Sequence, residues 1–539
     1  MSRFILRILS VALFAALAFV GCVESDPWVD DDTAQGGGSW VEKPVEGDEQ
    51  KPEDDTQKPE DETDKPGDET EEPGGEPEEP GDDAQDPEEE LPPVNNLWTS
   101  EELEWVFDMN ALPEIHISVT EAQWNELLME YDYDNRTTHY IHCDAEFESK
   151  GEKHSFADAG LRLRGNTSRR RPEGNGGEMH KRNNADWHHC HFTLNLRKFQ
   201  KDDAHELRNV RKFYLKWHKD DRAYCRELYC YDLFRRFGVW TAAYSSYCRL
   251  WIHVEGDSQP AYYGVYEMIE AIDDKFIKRR KELFGDHKHN LWKCSHASSP
   301  ADLHYDNIRN ASIYFDDDSG ASYTYELKSN IENFTVAKEQ LFEFSRNLTT
   351  LQGEEFRSWI SSVCDVELLL RTYAVNVIVG MWDDYWNNGN NYYIYFNSSD
   401  KSNYKFYFIP FDYDNTLGTS INCGVISDSG RQDPLNWGDT NSHPLIGKIL
   451  KFEEYRKIYV DALNELCDPA NDLFYYTHSI ARINGWHGMI RNYVVNDTEE
   501  DCEIKDRPAG WGNIYDYRLL DASSSMNFFK VKASSIPKR

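Results

Sequence analysis

The sequence predicts an α+β body of two lobes carried behind a disordered acidic stalk. Three observations lead there. Strand-like and helix-like stretches are mixed throughout residues 96–539, with no Pro/Gly linker to cut them apart. That body is longer than a single core usually supports, which favours two lobes. The stretch before it is built from Glu, Asp, Pro and Gly with almost no aliphatic residues, so it cannot bury enough apolar surface to fold.

The first element, residues 1–21, reads as a lipoprotein leader. Arg3 and Arg7 precede the apolar run ILSVALFAALAFV, and Gly21-Cys22 closes it. The run is short for a membrane span and no stop-transfer pattern follows. Cys22 is the expected lipidation site. It assigns the protein to the cell envelope, at the outer membrane, with surface exposure as one orientation and the membrane met only through the lipid anchor. Residues 22–95 form the linker, with a loose repeat starting at Lys43, Lys51, Lys58 and Lys65. Residues 23–90 hold 29 acids against 4 lysines, in a chain of formal net charge −39. Setting aside that −25 and the leader's +2 leaves −16 for residues 91–539. The stalk repels itself and stays extended. An acidic body argues against a nucleic-acid partner. Of the 11 cysteines, the ten besides Cys22 are widely spaced with no CxxC pair, and an oxidising envelope would allow up to five disulfides.

The body, 96–539, opens with a strand at LPEIHISV and a helix at TEAQWNELLMEY capped by Thr120. IHCDAEFES is a second strand. Leu161-Arg162-Leu163-Arg164 is a third, ending in the turn Gly165-Asn166-Thr167-Ser168. A strand followed by a Gly/Ser/Thr turn with arginines offers backbone N–H groups and cations to phosphates, and equally describes a solvated basic loop. HHCHFTLNLRKF is the next strand. Its His188, His189, Cys190 and His191 do not read as a zinc site, because neighbours on a strand point to opposite faces. Residues 212–236 pass from a strand into a helix near Asp220 or Asp221, with Leu228, Tyr231 and Leu233 on its core face. CRLWIHVEG and AYYGVYEMIEAID make a hairpin around Gly256-Asp257, carrying Glu267 and Glu270. KFIKRRKELF is a basic helix, NLWKC brings Lys293, and 330–380 and 444–466 are helical. The tail has no clear assignment.

The most informative stretch is Gly380–Gly418. Asp383 and Asp384 sit in an Asn/Gly-rich loop, followed by the strand YYIYF, a polar turn, the strand YKFYFIPF, and then Asp412 and Asp414. Strand propensity with the intervening turn makes a hairpin that brings both acidic pairs to one end. Acidic oxygens held there suit a hard cation such as Mg²⁺. The alternative is that these residues only cap turns.

Taken in order, the pieces LRLRGNTS, DDRAYCRELYCYDLFRRFGV, YYGVYEMIEAIDDKFIKRR with the later LWK, MWDDYWNNGNNYYIYF and FIPFDYDNTLG resemble the CotH family of atypical, spore-coat-type protein kinases. The resemblance runs from about Leu112 to the C-terminus. It implies a degenerate protein-kinase-like fold that binds ATP with Mg²⁺ (or Mn²⁺) and phosphorylates Ser or Thr of a partner, here an envelope or surface protein. It further implies Asp383 as the catalytic Asp that orients the acceptor hydroxyl, and Asp412 as a metal ligand with Asp414 beside it. Asn391 matches the family context for a further ligand, while kinase spacing selects Asn388. Arg164, Gly165, Asn166 and Ser168 would cover the phosphates. Arg226, Glu270 and Lys293 match positions near the nucleotide or its supports, and each also reads as an ion pair.

One departure stands out. The lysine that should reach the ATP phosphates soon after the turn is missing, its place taken by His189–His191 after an insertion. Lys198 and Lys216 are substitutes out of register. Without that cation, phosphate alignment weakens. The second expectation is therefore a catalytically inactive kinase-fold protein that binds or assembles partners at the surface. A Ca²⁺-dependent glycan binder is a third.

Overall fold

The computed structural model describes residues 98–316, 321–400, 404–419, 428–508 and 515–538. The leader, Cys22 and the acidic linker lie outside the described residues.

Seven strands close into a barrel: β1 (Glu114–Val119), β2 (Ile141–Ser149), β3 (Glu152–Arg164), β4 (His191–Asn195), β5 (Lys212–Lys216), β6 (Ser245–Val254) and β7 (Ala261–Glu270), in the order β1-β2-β3-β4-β5-β7-β6. Neighbours are antiparallel. The exception is the closing pair β1–β6, parallel with Glu114 opposite Arg249. Alternation explains the closure. Ile115, Ile117, Leu161, Leu163, Phe192, Leu194, Phe213, Leu215, Leu250 and Ile252 form one buried core, to which helix α1 (Glu121–Tyr133) adds Trp124, Leu127 and Leu128. Thr120 caps α1 as expected, accepting from the Gln123 N–H at 3.2 Å. Because Leu161 and Leu163 point inward, Arg162 and Arg164 project from the other face of the same strand.

A second, five-stranded sheet has the order β12-β11-β8-β10-β9, from β8 (Asn290–Cys294), β9 (Ile313–Phe315), β10 (Tyr325–Leu327), β11 (Tyr392–Asn397) and β12 (Lys405–Pro410). The expected hairpin is β11–β12, with Tyr392 opposite Pro410. Helices α2 (Arg226–Arg236) and α3 (Val366–Ile378) are buried on almost every side in the second core, and α3 also packs on α5 (Glu453–Cys467). The short helix α4 (Tyr385–Asn388) lies in the loop before β11. The mixed α+β class and the element order thus follow the sequence expectation, whereas closure of the strands into a barrel was not foreseen.

Three local expectations change. The basic helix at 275–284 is two short helices, Asp274–Arg279 and Lys281–Phe284. They break at Arg280, whose guanidinium turns into the core to meet Glu270. The strand at LRLR begins nine residues earlier, at Glu152, paired with β2 around Lys150-Gly151. The expected disulfides do not form among the described residues. Nine cysteines there are free, seven of them buried singly as small apolar side chains.

One buried cation yields a pH prediction. Lys532 has no exposed surface; its Nζ donates to the Ser429 carbonyl at 3.1 Å and lies 4.2 Å from the Trp437 ring, and it makes no ion pair among the described residues. Burial pulls its pKa down to about 7. Between that value and the unfolded lysine's, the unfolded chain holds a proton that the folded chain lacks, so stability rises with pH. Urea unfolding from pH 7 to 10 should show this slope in the wild type and a flatter one in Lys532→Met.

Candidate active site

Strand β5 ends at Lys216, which lies on the outer face of the barrel and is almost fully buried there. Its ammonium donates to Glu227 Oε2 in the first turn of α2 and to Asp412 Oδ1 at 2.6 Å, with Asp414 Oδ2 at 3.6 Å. Carboxylate oxygens of Glu227, Asp412 and Asp414 all come within 4.8 Å of one another. Carboxylates from two chain segments distant in sequence, α2 and the stretch after β12, thus share one cation. Burial drives Asp414 well above the usual carboxylate range, with Lys216 opposing and Asp412 adding to the shift. Burial acts on Asp412 the same way, but Lys216 outweighs it and holds that carboxyl low. Glu227 and Glu267 are each pushed up to about 8 by burial, against the pull of Lys216.

The segment after β12 is fastened to α2. The Asp412 N–H donates to Tyr231 Oη at 3.1 Å and the Tyr413 N–H to Glu227 Oε1 at 3.3 Å, with Asp412 in the left-handed region at φ 62°. Tyr413 Oη donates to Asn376 Oδ1 at 2.9 Å, and the other end of that amide donates to Asp384 Oδ2. Asp384 also caps α4 through the Asn387 N–H at 2.8 Å. Asn376 of α3 therefore ties the 412–414 segment to the loop that carries Asp383.

Asp383 is half-buried in a ring of amides. Its Oδ1 accepts from Asn388 Nδ2 at 2.6 Å and Asn390 Nδ2 at 3.1 Å, and its Oδ2 accepts from Asn391 Nδ2 at 3.1 Å. Burial raises its pKa, and the Asn388 and Asn390 hydrogen bonds oppose that. Asn388 is engaged at both ends, because its Oδ1 meets His296 Nδ1 at 3.2 Å. Of the two asparagines left open by the sequence, Asn391 is the one whose Oδ1 has no hydrogen bond among the described residues.

The remaining expected residues fall into two groups. Arg164 stacks on Tyr214 at 4.0 Å from the ring, and Lys293 lies on β8 opposite Tyr393 of β11. Burial lowers the Lys293 pKa, and both Asp412 and Arg164 are among its charged neighbours. The turn after Arg164 needs Gly165, at φ 105°, where a Cβ would come within 2.5 Å of Ser168 Oγ. Asn166 is exposed. Arg169, which the sequence argument passed over, splints this turn through Gly165 O at 3.1 Å and Thr137 O at 2.8 Å. Arg170 then anchors it to Glu500 with two bonds of 2.9 and 2.8 Å.

Arg226 and Glu270 belong elsewhere. Arg226 is fully buried, bound to Asp221 and to the Arg507 carbonyl at 3.1 Å, which is the ion-pair reading of it. Glu270 meets Arg279 at 2.6 Å and Arg280 at 2.7 Å. Both charges are neutralised inside the fold. His218, Asp221 and Glu267 also cluster, but the Asp221 oxygens already accept from Arg226 and from the N–H groups of Ala223, Cys225 and Arg226. His189 and His191 are core histidines, the first bound to Tyr263 O and the second accepting from the Trp217 N–H.

A strand lysine, Lys216, thus stands among the acids of the site. Lys216 was set aside as out of register; the residues from 165 to 190 fold over as a separate excursion, so β4 and β5 pair without a shift, Phe192 opposite Leu215. A strand ending in Lys and followed by a helix with Glu in its first turn was the signal for both Lys216 and Glu227.

A family model for the CotH kinase protein matches residues 161–517, about two thirds of the chain. The chain belongs to the CotH kinase family. The match begins within β3, so β1, β2 and α1 precede it. Comparison with curated proteins returns no match. For a CotH kinase family chain, Asp383, Lys216, Glu227, Asp412 and Asp414 all lie inside the matched stretch, as do Arg164 and Lys293.

The structural assignment of Glu270 is testable. Glu270→Ala leaves two buried guanidinium groups short of a partner and should cost about 3–5 kcal/mol in urea unfolding. Any increment that Mg²⁺-ATP adds to the melting temperature should stay as in the wild type.

Proposed function

We propose that this protein transfers the γ-phosphoryl group of ATP to a Ser or Thr hydroxyl of an envelope or surface protein, from a body tethered to the outer membrane by a lipid on Cys22. One observation carries the reading: Lys216 joins Glu227 of a helix to Asp412 after a hairpin, while a separate loop holds Asp383 in amides. The order strand Lys, helix Glu, catalytic-loop Asp, hairpin, metal-binding Asp is the order of parts in protein kinases. It supports a kinase-like division in which the barrel covers the nucleotide and the second core carries the catalytic loop.

The donor set fits a hard divalent cation. Carboxylates of Asp412 and Asp414, which cluster with that of Glu227, are the oxygen ligands that Mg²⁺ or Mn²⁺ takes, and Asn391 is the further ligand that the family context implies. Bound there, the ion would neutralise charge on the phosphate oxygens. The chain's own contribution is positioning and electrostatics. Lys216, Arg164 and Lys293 are cations aimed at the phosphates, with the Gly165–Ser168 turn above them. Asp383 accepts the proton of the acceptor hydroxyl as its oxygen bonds to phosphorus and ADP leaves. Glu227 fixes Lys216, so α2 must be docked for the site to be complete. The inactive-binder reading keeps the anchor, the stalk and the aromatic-rich body as its grounds, and loses the absent lysine as a fourth, since Lys216 stands among the acids.

Two measurements test this. Thermal unfolding of the full-length chain should show stabilisation by Mg²⁺-ATP, about 2–3 kcal/mol at a hundredfold excess over Kd, that is absent in Asp412→Ala and Lys216→Met. No shift in the wild type would sink the proposal. In an assay with radiolabelled ATP and envelope proteins, Asp383→Asn should keep the nucleotide shift and lose transfer by about a hundredfold or more.

A further inference from the structure

Residues Ser295–Ala301, between β8 and β9, lie against the loop that carries Asp383. The segment is fastened along its main chain. Ser295 N donates to Thr324 O at 3.0 Å, His296 N to Asn390 Oδ1 at 2.8 Å, and Ala301 N to Gly389 O at 2.7 Å. Gly389 is left-handed at φ 60°, and a Cβ there would sit 2.7 Å from Pro300, so the two loops are in close contact. His296 itself is exposed, yet its Nδ1 lies 3.2 Å from Asn388 Oδ1.

We infer that His296 is a positioning residue for Asp383: it fixes the amides of Asn388 and Asn390 so that both hold Oδ1 and leave Oδ2 to the acceptor hydroxyl. The inference rests on the phosphoryl-transfer reading above. An asparagine amide has one accepting and one donating end. A donor placed on the oxygen end decides which way the other end points. The His296 ring, protonated at Nδ1, gives that donor to Asn388, and the His296 backbone N–H gives it to Asn390. Each amide then turns its NH₂ onto Asp383 Oδ1, at 2.6 and 3.1 Å. A flipped amide would set oxygen against carboxylate. Oδ2, by contrast, receives one N–H, from Asn391 at 3.1 Å, and that amide is shared with the Asp383 carbonyl at 3.0 Å. Oδ2 keeps an open lone pair, and the carboxylate cannot rotate to offer Oδ1 instead. The backbone N–H groups of Asn388 and Asn390 both donate to Asp384 O at 3.1 Å, which holds the amides' own main chain in place.

The test uses the full-length protein with His296→Ala, His296→Asn and Asn388→Ala. Because the ring is exposed, His296→Ala should fold normally and keep the Mg²⁺-ATP thermal shift. Its kcat should fall about 10- to 100-fold, as expected for a slightly misplaced base, with the KM for ATP within about twofold of wild type. His296→Asn carries an amide donor near the place of Nδ1 and should recover most of that loss. The double variant His296→Ala/Asn388→Ala should be no slower than Asn388→Ala alone, because the two act as one unit. Wild-type kcat in His296→Ala, or a loss that His296→Asn does not recover, overturns the inference. Amide hydrogen exchange of residues 383–391 separates its failure from that of the kinase reading. If the wild type transfers no phosphate at all, faster exchange in His296→Ala and its reversal in His296→Asn still uphold the positioning role. Unchanged exchange overturns it.

Discussion

The arrangement of the molecule depends on one buried ammonium. Lys216 is held by Glu227 and Asp412, and these three residues belong to a barrel strand, a helix of the second core and the segment after the β11–β12 hairpin. A lysine this deep keeps its charge only with close anionic partners, since desolvating a lone charge costs several kcal/mol. The carboxylates have the same need in reverse. Asp414 and Asp412 would repel each other without a cation between them, and burial already raises Asp414 far above its ordinary range. Each element is therefore placed by the charge the others bring, and the barrel cannot shift against the second core without exposing an unpaired ion. The same pairing that stabilises the fold sets three acids around one point.

Asn376 extends that constraint to the loop that carries Asp383. It lies on α3, a helix buried on nearly every side, and its single amide is shared between Tyr413 and Asp384. Those two residues flank the candidate metal ligands and the candidate base. A shift of α3 by a fraction of an ångström would move both together rather than apart. Phosphoryl transfer is controlled by the relative placement of base, metal and phosphate, so a common support on a rigid helix suits the chemistry better than two loops held independently. The partly exposed strap at 295–301 adds a second, cheaper constraint from the solvent side.

Much of this was legible in the residues. The β11–β12 hairpin, the acids at its open end and the strand-to-turn passage at Arg164–Ser168 follow from strand propensity and turn chemistry, which act over a few residues. The barrel was less accessible: its closing pair joins β1 to β6 in parallel, a contact between distant segments that no local pattern announces. Arg226 and Glu270 were offered as nucleotide contacts because they match family positions near the nucleotide or its supports, with an ion pair as the other reading. Their partners, Asp221 for one and Arg279 and Arg280 for the other, lie on the same stretch of chain but had no reason to be paired before the backbone bent. Lys216 was set aside for a different reason. Counting along the chain carried the residues between β3 and β4 into the register, whereas hydrogen bonding between strands passes them by.

The distribution of charge separates an anion-binding site from a cation-dependent glycan site. The body is acidic, and most of its lysines and arginines stand in ion pairs. At the face where β3 and β5 meet the second sheet the balance reverses: Arg162, Arg164 and Arg169 come together, and Lys293 lies opposite. None of these four makes an ion pair among the described residues. Burial lowers the Arg169 pKa to about 10, and the neighbouring Arg162 and Arg164 add to the shift. Crowding cations in a partly desolvated place is unfavourable unless an anion arrives to relieve it. A neutral sugar held through Ca²⁺ would need the acids without the arginines. A metal-bound triphosphate needs both, the acids on one side for the ion and the cations on the other for the phosphate oxygens, and that pairing of opposite fields across a few ångströms is what this junction presents.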